Sequence, residues 1–279
     1  MGAFQRDRAG DLRGDPWFSG SRPEDPAPRP VALPPPHTFS RSNLWYNKLL
    51  TNEGGVTMKG RLIVLEGTDG SGKSTQFERL CKRVSEEGIA YHQLVFPQYQ
   101  EESSALLRMY LRGEFGKNPG DVNAYAASSF YAVDRFASWK KVWKGWYEAG
   151  GLVLADRYTT SNAVHQGSKV PVGERGEFFR WLSDFEYCRL GLPEPDLVIY
   201  LDMPTEKAVE LLRQREAATQ THGDIHETNT AYLASCRDTA LDAAEAYGWR
   251  LVSCLDDAGG IRGVEDIHEE IWDAVRAFL

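Results

Sequence analysis

Downstream of residue 60 the hydrophobic pattern alternates between two kinds of segment. Short strand-like runs at 61–66, 91–96, 152–155, 197–201 and 249–254 are mostly continuously apolar and rich in Val, Ile and Leu, as expected of parallel strands covered on both faces. Between and after them lie longer stretches of mixed polarity, which predict helices near 73–88, 103–112, 122–149, 173–187, 204–217, 226–247 and 264–278. This alternation predicts an α/β fold, a doubly wound parallel sheet with helices on both faces. In such sheets ligands sit beyond the carboxyl ends of the strands. Candidate chemistry therefore belongs to the residues just past each strand's carboxyl end.

The segment after the first strand is the most specific. Gly67-Thr68-Asp69-Gly70-Ser71-Gly72-Lys73-Ser74, with Thr75 next, matches the phosphate-loop pattern GxxxxGK[ST] and lies between a strand and a helix. Its glycines let backbone N–H groups converge on one point, and the start of the helix adds its positive end there. Lys73 is placed to reach β- and γ-phosphates and the Ser74 hydroxyl to bind Mg²⁺. The fold expectation narrows to a P-loop NTPase-type domain.

Composition changes the picture at the amino end. Residues 1–57 hold eight of the fourteen prolines and sustain neither period, so they are expected to form a disordered N-terminal extension, with the catalytic domain at 58–279. Met58 stands directly before the first strand as an alternative start, and Leu44-Trp45-Tyr46 is an aromatic patch in the tail. Arginines in this stretch are interleaved with Asp7, Asp11, Asp15, Glu24 and Asp25, and no apolar core of a leader is present. The formal charge of −8 argues against nucleic acid or an anionic membrane as partner, so an anionic substrate must be held by local arginines. No apolar run approaches the ~20 residues of a membrane span. Cys81, Cys188, Cys236 and Cys254 are scattered without CxxC spacing, which suits a reducing cytoplasm.

Polar clusters stand after the other strands. Pro97 ends the second and Tyr99 can face the crevice. Asp156-Arg157-Tyr158-Thr159-Thr160-Ser161-Asn162 comes after the third, where the carboxylate suits a metal-bound water and the arginine a phosphate. Asp156 is preferred to Asp202 as the metal-side acid, because Met203-Pro204 makes Asp202 read as a helix cap. Asp134 and Arg135 interrupt an apolar helix and need partners, with Arg135 on a ligand and Asp134 bracing a neighbour. Arg213 and Arg215 lead into a polar segment, 216–224, that suits a helical lid closing on phosphates. There is no Asn/Thr-Lys-x-Asp guanine-reading motif and no Leu-Ser-Gly-Gly transporter signature.

Together, Glu66 through Thr75, Phe96-Pro97-x-Tyr99, Asp134-Arg135, Asp156-Arg157-Tyr158 with Ser161-Asn162, and Gly191-Leu-Pro-x-Pro-Asp-Leu197 resemble the thymidylate kinase family over about residues 60–279. The resemblance implies a five-stranded parallel sheet, a homodimer, and transfer of the γ-phosphate of MgATP to dTMP. It implies Asp69 as organiser of metal and acceptor phosphate, and Tyr99 and Arg157 on the sugar-phosphate side with Phe96 and Ser161 nearby. It also implies Arg135 and Asn162 on the thymine edge and Tyr131 against the ring. Two positions depart from the pattern. Gly70 stands where some members carry an arginine, which shifts the expected catalytic cation to Arg213 or Arg215, and His165 stands where members often carry a tyrosine near the sugar. A deoxynucleoside kinase, with Glu66 as base toward a hydroxyl acceptor, and a nucleotide-binding regulator are the competing readings.

Overall fold

The computed structural model describes residues 59–219 and 230–279. The expected extension at 1–57, with Met58 and the Leu44–Tyr46 patch, lies outside these residues, as do positions 220–224 of the lid segment expected at 216–224. Five strands, β1 (Arg61–Glu66), β2 (Tyr91–Val95), β3 (Leu152–Asp156), β4 (Leu197–Asp202) and β5 (Arg250–Ser253), form one parallel sheet in the order β2-β3-β1-β4-β5. The central runs β1, β3 and β4 are strands because both faces of the sheet are covered, whereas the edge strands β2 and β5 are covered less completely. In β1, Ile63 and Leu65 point to one side and Leu62 and Val64 to the other, all at 1% exposure or less.

On the first face, α1 (Lys73–Glu86) and α9 (Val264–Val275) pack Phe77, Leu80, Val84, Ile271 and Val275 against the sheet. Fully burying such a side chain contributes about 1.5–3 kcal/mol. The second face is covered by aromatics of the π-helical turn Trp139–Trp143, which continues α3 (Ala124–Ser138), and of α4 (Lys144–Glu148), where Trp139, Trp143 and Tyr147 meet edge to face. The stretch expected as a single helix over 122–149 is thus a helix with one wide turn, whose two indoles are buried against the sheet. The helix expected at 103–112 is shorter, α2 (Ala105–Leu111), behind a 3₁₀ turn.

A further helix, α5 (Thr159–His165), was not expected, because Thr159-Thr160-Ser161-Asn162 is a poor helix-forming sequence. Tertiary packing overrides propensity: Ala163 is buried with Phe178 and Phe179 of α6 (Arg175–Ser183), and Val164 with Cys236 and Ala240 of α8 (Thr230–Tyr247). A second π-helical segment, Asp184–Arg189, extends α6. After β4, α7 (Thr205–Thr219) begins at Thr205. Asp202 is no cap. Its carboxylate accepts from Arg237 Nε at 2.7 Å and NH2 at 3.0 Å, because α8 passes within reach of the end of β4.

Candidate active site

Parallel register does the first part of the assembly. Leu65 lies level with Asp156 and Glu66 with Tyr200, so the loop leaving β1 emerges beside the carboxyl end of β3, one strand spacing away. The loop turns through Gly70 and Gly72, whose φ values of 84° and 82° lie in the left-handed region. At Gly70 a Cβ would also stand 2.4 Å from the Ala208 carbonyl oxygen of α7. An arginine side chain cannot leave the loop there without moving the loop or α7. Ser71, in the same loop, is buried with its hydroxyl oxygen lacking a hydrogen-bond partner.

Glu66 anchors the loop from below. At 0% exposure it accepts from the Gly67 N–H at 3.0 Å and from the Thr160 and Ser161 hydroxyls at 2.7 Å each. These bonds tie β1 to the first turn of α5 and commit the carboxylate to the scaffold, which removes the expectation of a base acting on a hydroxyl acceptor.

Above it sits an alternating cluster of charges. Lys73 Nζ contacts Asp156 Oδ1, with both side chains below 10% exposure. Burial and the Arg157 guanidinium lower the Lys73 pKa, with Asp156 opposing them. Arg157 NH2 reaches Asp69 Oδ1 at 2.5 Å, and NH1 lies 3.7 Å from Glu66. Burial works against the charge of Arg157, but Asp69, Glu66 and Asp156 outweigh it and raise its pKa. Its backbone φ of 65° is unusual for a non-glycine residue and aims the side chain from the strand end toward the loop. Arg157 NH1 also meets His165 Nε2 at 2.8 Å. Because an arginine only donates, Nε2 accepts and the neutral ring carries its proton on Nδ1.

Two clefts open on this cluster and share Asp69, Lys73 and Ser74 as a common wall; Glu66 lines neither. The first, about 410 Å³, runs along residues 68–76 to Met203, Leu211, Leu212, Ile261, Arg262 and Val264. The second, about 270 Å³, brings together Phe96, Tyr99, Tyr131, Arg135, Asp156, Arg157, Ser161, Asn162 and His165. Residues from three separate segments thus join the shared wall around one cavity. Asp134 does not enter it. Buried at 1% exposure, it accepts from the Gln98 N–H and the Ser103 hydroxyl, both at 2.8 Å, and fixes the loop that presents Tyr99. Arg213 is exposed on α7 and belongs to neither lining; Arg215 is in α7, with its side chain outside the described residues.

Three residues of this region escaped the sequence reading. Glu186, at 0% exposure, accepts from Arg135 Nε at 2.7 Å and NH2 at 2.5 Å, and from Asn162 Nδ2 at 2.8 Å. Burial alone would lower the Arg135 pKa, yet Glu186 holds it above its ordinary value. A charge between two aromatics, Phe185-Glu186-Tyr187, was the available signal. Gln166 and Tyr232 also line the second cleft, and the buried Gln166 Oε1 has no hydrogen-bond partner.

Among the described residues no three His, Cys, Asp or Glu side chains converge as a metal cage. The donors here, Ser74 and Asp69 at the shared wall and Asp156 beside it in the second cleft, are all oxygen. This set fits Mg²⁺, which binds through one or two protein oxygens completed by phosphates and water.

The family model described as Thymidylate kinase matches residues 65–271. The thymidylate kinase of Mycobacterium tuberculosis (strain ATCC 25618 / H37Rv) is 33% identical over 189 residues, which cover 67% of this chain and 87% of that protein. The probable thymidylate kinase of Pyrococcus horikoshii is 28% identical over 216 residues, covering 77% and 95%. Among solved structures, thymidylate kinase from Candida albicans superposes with a TM-score of 0.55 at 20% identity, over 78% of this chain and 92% of that one. This last likeness concerns the fold.

Proposed function

The chain belongs to the thymidylate kinase family, whose reaction is the phosphorylation of dTMP to dTDP with ATP as donor, and from that premise we propose how its residues divide the work. The carrying observation is the pair of clefts with one shared wall. A phosphoryl group has to pass between two bound nucleotides while water is kept out, and two pockets meeting at Asp69, Lys73 and Ser74 provide that geometry.

ATP occupies the first cleft. The loop N–H groups of residues 67–75 and Lys73 take its phosphates, drawing Lys73 away from Asp156 toward the γ-group. Ser74, with Asp69 and Asp156 beside it, would hold Mg²⁺, which would supply neutralisation of phosphate charge. dTMP occupies the second cleft, its 5′-phosphate on Arg157 and its sugar near Tyr99, Phe96, Ser161 and His165. Its base lies against Tyr131 and meets Arg135 and Asn162. An oxygen of the dTMP phosphate bonds to the γ-phosphorus, and the bond from that phosphorus to the bridging oxygen breaks, leaving ADP. The acceptor is already an oxyanion, so positioning and charge neutralisation dominate and no strong base is required. The commitment of Glu66 to Gly67, Thr160 and Ser161 supports this over a hydroxyl acceptor. Arg213 or Arg215 closes on the transferring group with the lid.

The reading extends to a catalytic unit at 58–279, a homodimer, and a reducing cytoplasmic setting, the last supported by the four unpaired cysteines. The test is steady-state turnover of dTMP, thymidine, dUMP, dCMP and dGMP with MgATP. dTMP is expected to give the highest kcat/KM, and Lys73→Met to lower kcat by about 10²–10³-fold with native far-UV circular dichroism. Faster turnover of thymidine than of dTMP sinks the assignment of the acceptor site.

A further inference from the structure

The base-reading pair, Arg135 and Asn162, is held from behind by a residue that never enters the cleft. Glu186 is fully buried in the π-helical segment after α6, and its carboxylate spans both side chains. Donor and acceptor chemistry alone then imposes two constraints. Arg135 spends Nε and one N–H of NH2 on Glu186, which leaves the second N–H of NH2 and those of NH1, itself 3.3 Å from the Tyr158 carbonyl oxygen, as its remaining donors. Asn162 faces Glu186 Oε1 at 2.8 Å and the Ser128 carbonyl oxygen at 3.1 Å. Both neighbours only accept, so the NH2 of the amide must point at them, and Oδ1 is left over as an acceptor.

We propose that Glu186 is the positioning residue that sets pyrimidine selectivity, by fixing Arg135 as a donor and Asn162 as an acceptor toward the second cleft. This rests on the assignment of that cleft to dTMP. A thymine presents a carbonyl oxygen at C4 and an N–H at N3, which match a donor beside an acceptor. Cytosine presents an amino group and a bare nitrogen at the same places, and both are mismatched. A site built to hydrogen-bond one pattern rejects the other strongly because its buried groups are left unpaired.

Glu186→Gln keeps the shape and turns one end of the acceptor into a donor, so the arginine fork and the amide are no longer both satisfied. Glu186→Asp keeps the charge and withdraws it by one methylene from Asn162. The expected result in each is a fall of at least tenfold in the ratio of kcat/KM for dTMP over dCMP, carried mainly by a higher KM for dTMP with kcat changed less than threefold. Melting temperatures are measured alongside, and if the Gln variant fails to fold the Asp variant decides. A folded variant whose dTMP/dCMP ratio stays within twofold of wild type overturns the proposal, as does an equal loss of kcat on both substrates with the ratio intact. Asn162→Ala separates the layers: if it leaves the KM of dTMP unchanged, the base-reading assignment falls and the role of Glu186 with it. A raised KM there with an unchanged ratio in the Glu186 variants removes only the latter.

Discussion

Gly70 and Gly72 share a backbone conformation but not an environment, which makes alanine at each a controlled comparison. Both have φ above 80°, where a side chain costs about 1–2 kcal/mol. At Gly72 an added Cβ meets nothing within 4 Å, so that strain is the whole cost. At Gly70 it would stand 2.4 Å from the Ala208 oxygen and 2.9 Å from its carbonyl carbon, both backbone atoms of a packed helix. Overpacking adds about 1–3 kcal/mol. Gly70→Ala is therefore expected to lose about 2–5 kcal/mol against about 1–2 for Gly72→Ala. In a domain of this size each kcal/mol is worth about 2–4 °C in Tm. Thermal unfolding followed by circular dichroism should put the Gly70 variant lower by several degrees. The loop and α7 are then pushed apart at the shared wall, and a displacement on the order of 1 Å costs about 10²-fold in rate. Gly70→Arg is expected to be worse still and to supply no catalytic cation. Equal losses of Tm for the two alanine variants, within about 2 °C, would refute the packing argument.

The lid assignment predicts that Arg213→Ala or Arg215→Ala lowers kcat at least tenfold with little change in the KM of dTMP; if both keep wild-type kcat, the cation that closes on the phosphates lies elsewhere. Lys169 provides a pH test of the scaffold around the second cleft. Burial lowers its pKa from the ordinary 10.5 to about 8, while its ammonium donates to the Tyr110 hydroxyl at 2.7 Å and the Val122 oxygen at 3.1 Å. Between pH 8 and 10.5 the unfolded chain binds more protons at this site than the folded one, so the group's contribution to stability rises with pH across that window. The destabilisation is fully present below pH 8. Wild type should therefore gain Tm relative to Lys169→Met as pH goes from 8 to 10, and parallel Tm curves would contradict this.

The part of the site legible in sequence is the part made of neighbours in sequence. Gly67 to Ser74 declares itself because a phosphate loop needs glycines, a lysine and a hydroxyl at fixed offsets, and Asp156-Arg157 because a buried strand delivers both charges to one edge. The central strands were readable because a sheet covered on both faces demands continuous apolar runs. Where local signals were weak or misleading, distant contacts decided. Helix α5 forms from a sequence that disfavours helix because Glu66, α6 and α8 hold it, and Asp202 looks like a cap until Arg237 arrives from α8.

Sequence alone therefore determined the fold class, the phosphate loop and the family resemblance, since each depends on residue type and spacing along the chain. Only the tertiary structure decided the strand order, the two clefts with their common wall, and the grip of Glu186 on Arg135 and Asn162, 51 and 24 residues away along the chain. The physical reason is that a buried charge must find its partner in space. No local pattern in the sequence records which partner that is.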